Sequence, residues 1–195
     1  KAMNSPFDNQ FKVPLDANKL SSLGFGTRSE RRLSDLKNYF QNQERAEELI
    51  GEHDPVIYEV WELEYDKGGR GISLGTTTIY PGDVDGEFFF TRGHFHAKDD
   101  GDEVYIPLSG EGYLAVSTRE GVSDLVALEV GLLYYVPGHL AHRTVNTGDS
   151  PFSFLCLWAP HIDHDYKTIN ESGFPELVFR SQEGIRVVKN PNYGK

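Results

Sequence analysis

An all-β fold, an antiparallel sandwich or barrel with a short N-terminal helical segment, is predicted by three features of this 195-residue chain. Short stretches rich in Val, Ile, Thr and aromatic residues recur from residue 56 to residue 188. Turn pairs separate them at Gly68-Gly69, Pro81-Gly82, Ser109-Gly110, Glu120-Gly121, Pro137-Gly138 and Thr147-Gly148. Aromatics are abundant, with 12 Phe, 10 Tyr and 2 Trp, which suits sheet better than helix. Many short strands at even spacing exclude a parallel α/β sheet. A small barrel of such strands is wide enough to hold a ligand among its inward side chains.

Taken in order, residues 1–30 are polar, broken by Pro6, Pro14, Gly24 and Gly26, and read as an extended arm. From 33 to 50 the apolar positions Leu33, Leu36, Tyr39, Phe40, Ala46, Leu49 and Ile50 recur at helical spacing, and Gly51 ends the run. Strands are expected at 56–65, 72–80, 87–91, 103–108, 112–117, 125–128, 132–136, 143–146, 151–158, 177–179 and 185–188. The length suits one well-buried core, so residues 31–195 read as a single domain.

The formal net charge of −11 argues against nucleic acid and against an anionic membrane surface as partners. A small anionic substrate stays compatible with it, because distant surface charge is screened over about 8–10 Å. A bound cation with Arg92 and Lys98 nearby would dominate inside a pocket. The single cysteine, Cys156, sits in the apolar run 152–158, so no intramolecular disulfide can form and a core thiol is expected. No apolar stretch approaches the length of a bilayer span, and a cytoplasmic location is the expectation.

The chemistry concentrates in the segment 91–96, which reads TRGHFH. In an extended chain His94 and His96 face the same way, with Phe95 turned aside. A polar loop follows and brings Glu103 back towards them, and His142 comes just after Pro137-Gly138. Three imidazoles and one carboxylate are an ordinary donor set for a transition metal.

These residues resemble the cupin superfamily. His94-x-His96, Glu103 and Gly110 follow its first motif, although the gap before Glu103 is longer than usual. Gly131, Pro137, His142 and Asn146 follow the second, with His139 standing where that motif has Gly. The longer patterns at 80–96, 103–105 and 141–146 narrow the resemblance to the cupin-type glucose-6-phosphate isomerases. Further likeness at 31–36, 54–59 and 164–166 extends it over most of the chain from residue 30.

The resemblance implies a jelly-roll-like cupin barrel with its metal-binding core at 54–160, and conversion between glucose 6-phosphate and fructose 6-phosphate. It places one divalent metal per subunit on His94, His96, Glu103 and His142, with Fe2+ favoured and Mn2+, Ni2+ or Zn2+ also suitable. The catalytic candidates are Glu103, Tyr105 and His164. The sugar and phosphate contacts fall on Tyr58, Thr77, Thr91, Gly93 and Tyr166, with His164 beside the phosphate. Trp158 stands where members of the family carry Tyr, so a hydroxyl is replaced by an indole. A homodimer is implied. The donor set by itself would also serve a cupin dioxygenase on iron, and the fold a non-catalytic sugar-binding cupin. Within the isomerase reading, proton transfer by Glu103 and a hydride shift both stand open.

Overall fold

The structure, a computed structural model, describes residues 26–64, 71–97, 101–159 and 162–194. Most of the expected arm, Lys98, His161 and the Gly68-Gly69 turn lie outside the described residues. The first element is strand β1 (Thr27–Arg32), which leads into a helical turn α1 (Leu33–Leu36), a 3-10 turn (Lys37–Tyr39) and helix α2 (Gln43–Glu52). Strands β2 (Val56–Glu64), β3 (Ser73–Ile79), β4 (Asp83–Val84), β5 (Glu87–Phe88), β6 (Phe95–His96), β7 (Glu103–Ser109) and β8 (Gly112–Ser117) follow. Next come β9 (Ser123–Leu128), β10 (Tyr134–Val136), β11 (Ala141–Asn146), β12 (Phe152–Trp158), β13 (His164–Asp165), helix α3 (Tyr166–Ser172), β14 (Glu176–Ser181) and β15 (Gly184–Lys189).

The chain is mostly sheet, and the strand pairs of all four sheets are antiparallel. The largest sheet runs β1-β2-β3-β12-β7-β10; smaller ones run β11-β8-β9, β13-β6 and β15-β14-β5-β4. The segment from Phe89 to His94 links the smaller sheets. Its backbone bonds antiparallel to β11 through Asn146 N to Phe89 O at 3.0 Å, Thr91 N to Thr144 O at 2.9 Å and His142 N to His94 O at 3.1 Å. The expected strand at 87–91 is thus a two-residue strand followed by isolated bridges. Asn146, read from the second motif, ties β11 to its neighbours: its Nδ2 donates to Ile79 O and Ser150 O, both at 2.9 Å.

The expected helix over 33–50 divides in two. Phe40 leaves the helical path with φ −85° and ψ 147°, and its ring packs on Phe90 at 4.5 Å and Phe89 at 6.3 Å. Aromatic burial outweighs helix continuation there. The second piece restarts because Asn42 accepts the Arg45 amide at 3.0 Å, an ordinary N-cap. The arm expected to end at residue 30 instead contributes β1, the edge strand beside β2. One apolar core gathers Leu33, Leu36, Ile57, Ile79, Phe88, Phe90, Phe152 and Phe154, joining the helical segment to the sheets.

Candidate metal centre and substrate cavity

Strand alternation builds one wall of a cavity from four neighbouring strands. On β2 the residues Tyr58, Val60 and Glu62 share a face; on β3, Gly75 and Thr77; on β12, Phe154, Cys156 and Trp158; on β7, Glu103 and Tyr105. The register sets these rows side by side: Val60 opposes Thr77, Phe154 opposes Thr77, Cys156 lies between Gly75 and Tyr105, and Trp158 pairs with Glu103. The other side comes from the 91–94 segment, His142 on β11, and His164 and Tyr166. Within the Thr76–Thr78 run only Thr77 faces the cavity, while Thr78 Oγ1 meets Ser153 Oγ at 2.8 Å on the opposite face.

Glu103 is ringed by imidazoles. His96 Nε2 lies 3.1 Å from Glu103 Oε1, His94 Nε2 3.8 Å and His164 Nε2 3.9 Å from that same oxygen. His142 Nε2 lies 3.4 Å from the other carboxylate oxygen. Pairing of His164 with His96 across β13 and β6 delivers the fourth ring, from 68 residues downstream. His94 reaches the carboxylate from an isolated bridge to His142, so the two rings come from one backbone contact.

The donor set fits a divalent metal. The ligand atoms of His94, His96, Glu103 and His164 all lie within 4.8 Å of one another. Bonds of about 2.1 Å to one ion would set donor atoms roughly 3 to 4 Å apart, so only small adjustments are required. The Nε2 atoms of His94, His142 and His164 are buried without a hydrogen-bond partner, a costly state that a shared cation would relieve. Burial lowers the His94 pKa to about 3 and also lowers that of His164, so both rings are neutral, as ligation requires. Burial alone would raise Glu103, yet its contacts with His142, His94 and His96 hold it well below the usual carboxylate range. The mutually close group holds His164 where the sequence reading placed His142; His142 adds a fifth donor on the second oxygen.

All the sequence-predicted site residues converge here. Tyr58, Thr77, Thr91, Gly93, His94, Glu103, Tyr105, His142, Trp158, His164 and Tyr166 line one cavity of ≈ 120 Å³, and His96 lies fully buried against Glu103. Burial pushes the Tyr58 phenol up to about 12 and the Tyr105 phenol well above its usual range, so both stay protonated as donors. Cys156 is buried and its thiol is pushed up by burial, as a core thiol should be, although it also borders the cavity. Arg92 lies 4.5 Å over the Tyr166 ring and donates to Tyr39 Oη and Asn170 Oδ1, both at 2.7 Å.

Val60, Glu62, Gly75 and Phe154 also border the cavity and had not been singled out. Inward alternation from Tyr58 and Thr77 would have found three of them. Gly75 is explained by its neighbour: a Cβ there would stand 3.1 Å from Trp158 Cη2 and 3.2 Å from Trp61 O. Gly93 has φ +75°, and a Cβ there would meet Phe174 Cε2 at 2.6 Å and Arg143 Cβ at 2.8 Å.

A family model described as "Glucose-6-phosphate isomerase (GPI)" matches residues 30–193. A glucose-6-phosphate isomerase of Pyrococcus horikoshii is 47% identical over 163 residues, covering 84% of this chain and 86% of that protein. A glucose-6-phosphate isomerase of Pyrococcus furiosus is 45% identical over 168 residues, covering 86% and 89%. Among solved structures, oxalate decarboxylase from Bacillus subtilis superposes with a TM-score of 0.43 at 23% identity, over 52% of this chain and 25% of that one.

Proposed function

The chain belongs to the glucose-6-phosphate isomerase family, and from that premise we propose that its cavity interconverts glucose 6-phosphate and fructose 6-phosphate. The observation that carries this reading is a buried carboxylate, Glu103, meeting four imidazoles beside donors suited to a sugar phosphate. The dioxygenase and sugar-binding readings have no comparable support.

The metal, one per subunit, is assigned to His94, His96, Glu103 and His142. His142 is almost fully buried, and its Nδ1 faces Leu140 O at 3.3 Å, which directs Nε2 as the free lone pair. His164 is more exposed, and its Nδ1 faces the Tyr166 hydroxyl at 3.3 Å, which suits a place beside the substrate. Fe2+ is the ion proposed, with Mn2+, Ni2+ and Zn2+ compatible with the same donors. When bound, the ion supplies a Lewis acid where negative charge grows on the substrate oxygens.

The protein's own groups do the rest. Tyr105, two residues from Glu103 on the same face of β7, holds its proton and donates to a sugar oxygen. Thr91 Oγ1 accepts the Thr144 amide at 3.0 Å, which leaves its O–H free to donate to the phosphate together with Thr77 and Tyr166. Arg92 brings a positive charge to the same cavity. The apolar rings of Phe154 and Trp158 exclude water, so these few dipoles act at low dielectric.

Glu103 carries hydrogen between C1 and C2 in the proton-transfer reading: it takes a proton from one carbon and returns it to the other. Direct hydride passage from C2 to C1 is the second reading. Turnover in deuterated water tests the choice. Deuterium at C2 of glucose 6-phosphate supports transfer through Glu103, and its absence over many turnovers supports the hydride route.

Residues 31–195 are read as one domain, since its core cluster runs from Leu33 to Val178. A homodimer working in the cytoplasm completes the proposal. No helix among the described residues is long and apolar enough to cross a membrane.

A further inference from the structure

A second cavity of ≈ 360 Å³ lies next to the first, lined by Arg143, Tyr39, Gln41, Asn170, Asn190 and Asn192 among others. Arg143 is 3% exposed and its Nε has no hydrogen-bond partner. The rings of Phe90 and Phe174 stand 4.1 and 4.5 Å from its guanidinium carbon. Such contacts use the faces of a guanidinium and leave its in-plane N–H groups to be satisfied. Only a long contact of 3.4 Å, from Nη2 to Glu176 O, is made at that edge among the described residues. The acid whose charge Arg143 feels is Glu87, which makes no ion pair with it within 4.0 Å; its Oε2 accepts the Gln41 amide at 2.7 Å, and its Oε1 is buried without a hydrogen-bond partner. Glu171, the acid in the cavity lining, faces Lys167 at 3.7 Å and is largely exposed.

We propose that this cavity is a second ligand site, built for a small oxyanion, a phosphate or carboxylate, held by the Arg143 guanidinium and the surrounding amides. Buried guanidinium edges without a carboxylate are matched by an oxyanion, which can take two N–H groups at once. Amide side chains add neutral donors without competing charge.

Two contacts connect the site to the isomerase cavity. Asn170 Oδ1 accepts from Arg92 Nη2 and from the Tyr39 hydroxyl, and Arg92 in turn lies over Tyr166. An anion recruiting Asn170 or Tyr39 would loosen the hold on Arg92. Arg143 and Phe174 also pack directly against Gly93, whose backbone borders the substrate cavity. Occupation of the second site is therefore expected to change turnover. That kinetic consequence rests on the isomerase reading, whereas binding itself does not.

The test is a calorimetric titration of the metal-loaded enzyme with inorganic phosphate, and separately with malonate, in an equilibrium mixture of saturating glucose 6-phosphate and fructose 6-phosphate. The sugar phosphates fill the first cavity, so any further binding reports the second. One additional site per chain is expected, weakened at least tenfold by Arg143→Met. Phosphate binding without malonate binding identifies a phosphate ligand, and the reverse a carboxylate. If Arg143→Met does not fold, Asn192→Asp, which adds a negative charge to the lining, should weaken binding severalfold. Absence of an additional site, or affinity unchanged in whichever variant folds, would overturn the proposal. Turnover of fructose 6-phosphate, measured separately on the same enzyme preparations before equilibrium is reached, keeps that failure separate from a failure of the isomerase reading.

Discussion

Trp158 and Gly75 stand on the adjacent strands β12 and β3, and the indole occupies the space that a side chain at position 75 would need. A Cβ on Gly75 would lie 3.1 Å from Cη2 and 3.3 Å from Cζ3 of that indole, with the Trp61 carbonyl at 3.2 Å closing the other side. Gly75→Ala is therefore expected to cost about 1–3 kcal/mol by overpacking and to push the ring into the substrate cavity. KM for fructose 6-phosphate should rise. In a Trp158→Tyr background the same alanine should cost less, and a double-mutant cycle of unfolding free energies reads the coupling. Additive costs would mean that the two side chains do not share the space.

Glu87 gives a pH signature in stability. It is buried, and burial pushes its carboxyl from 4.5 up to about 7. Between these values the unfolded chain has lost the proton that the native protein keeps. The unfolded state thus binds fewer protons, and this contribution to stability falls as pH rises from 4.5 to 7. Glu87→Gln keeps an acceptor for the Gln41 amide and cannot ionise. The variant should match the parent near pH 4.5 and gain about 3 kcal/mol relative to it above pH 7. Urea unfolding at several pH values provides the comparison, and a pH-independent difference would contradict the assignment.

The two candidates for the third imidazole ligand, His142 and His164, are separable by metal content. With His142 as the ligand, His142→Ala loses stoichiometric metal. His164→Ala retains it while losing turnover. Elemental analysis of both purified variants decides the point, and metal lost only from the His164 variant would reverse the assignment.

What could be read from the sequence is clearest at His94 and His96. Alternation along an extended chain put both rings on one side, and both do reach Glu103 Oε1, although the strand there is only Phe95–His96. The inward positions Tyr58, Thr77 and Tyr105 were legible through the resemblance, and strand alternation accounts for their shared wall. His164 was expected near the substrate, but not within 3.9 Å of the metal-site carboxylate. That contact depends on β13 pairing with β6, and two-residue strands so far apart in sequence leave no periodic signal. The break at Phe40 was hidden for a similar reason, since the Phe89 and Phe90 rings that draw it out of the helix come from a distant segment. Arg143 and Glu87 fall inside the resembling stretches 141–146 and 80–96, but those patterns give neither a role of its own, and burial is what distinguishes them.

A chelation assay puts the convergence of imidazoles on Glu103 to its most direct trial. Conversion of fructose 6-phosphate is followed in the purified enzyme, after removal of its metal, and after return of one equivalent of Fe2+ per subunit. Activity should vanish with the metal and return with that single equivalent, while Glu103→Gln stays inactive but folded throughout. Full activity in the stripped enzyme would contradict the account.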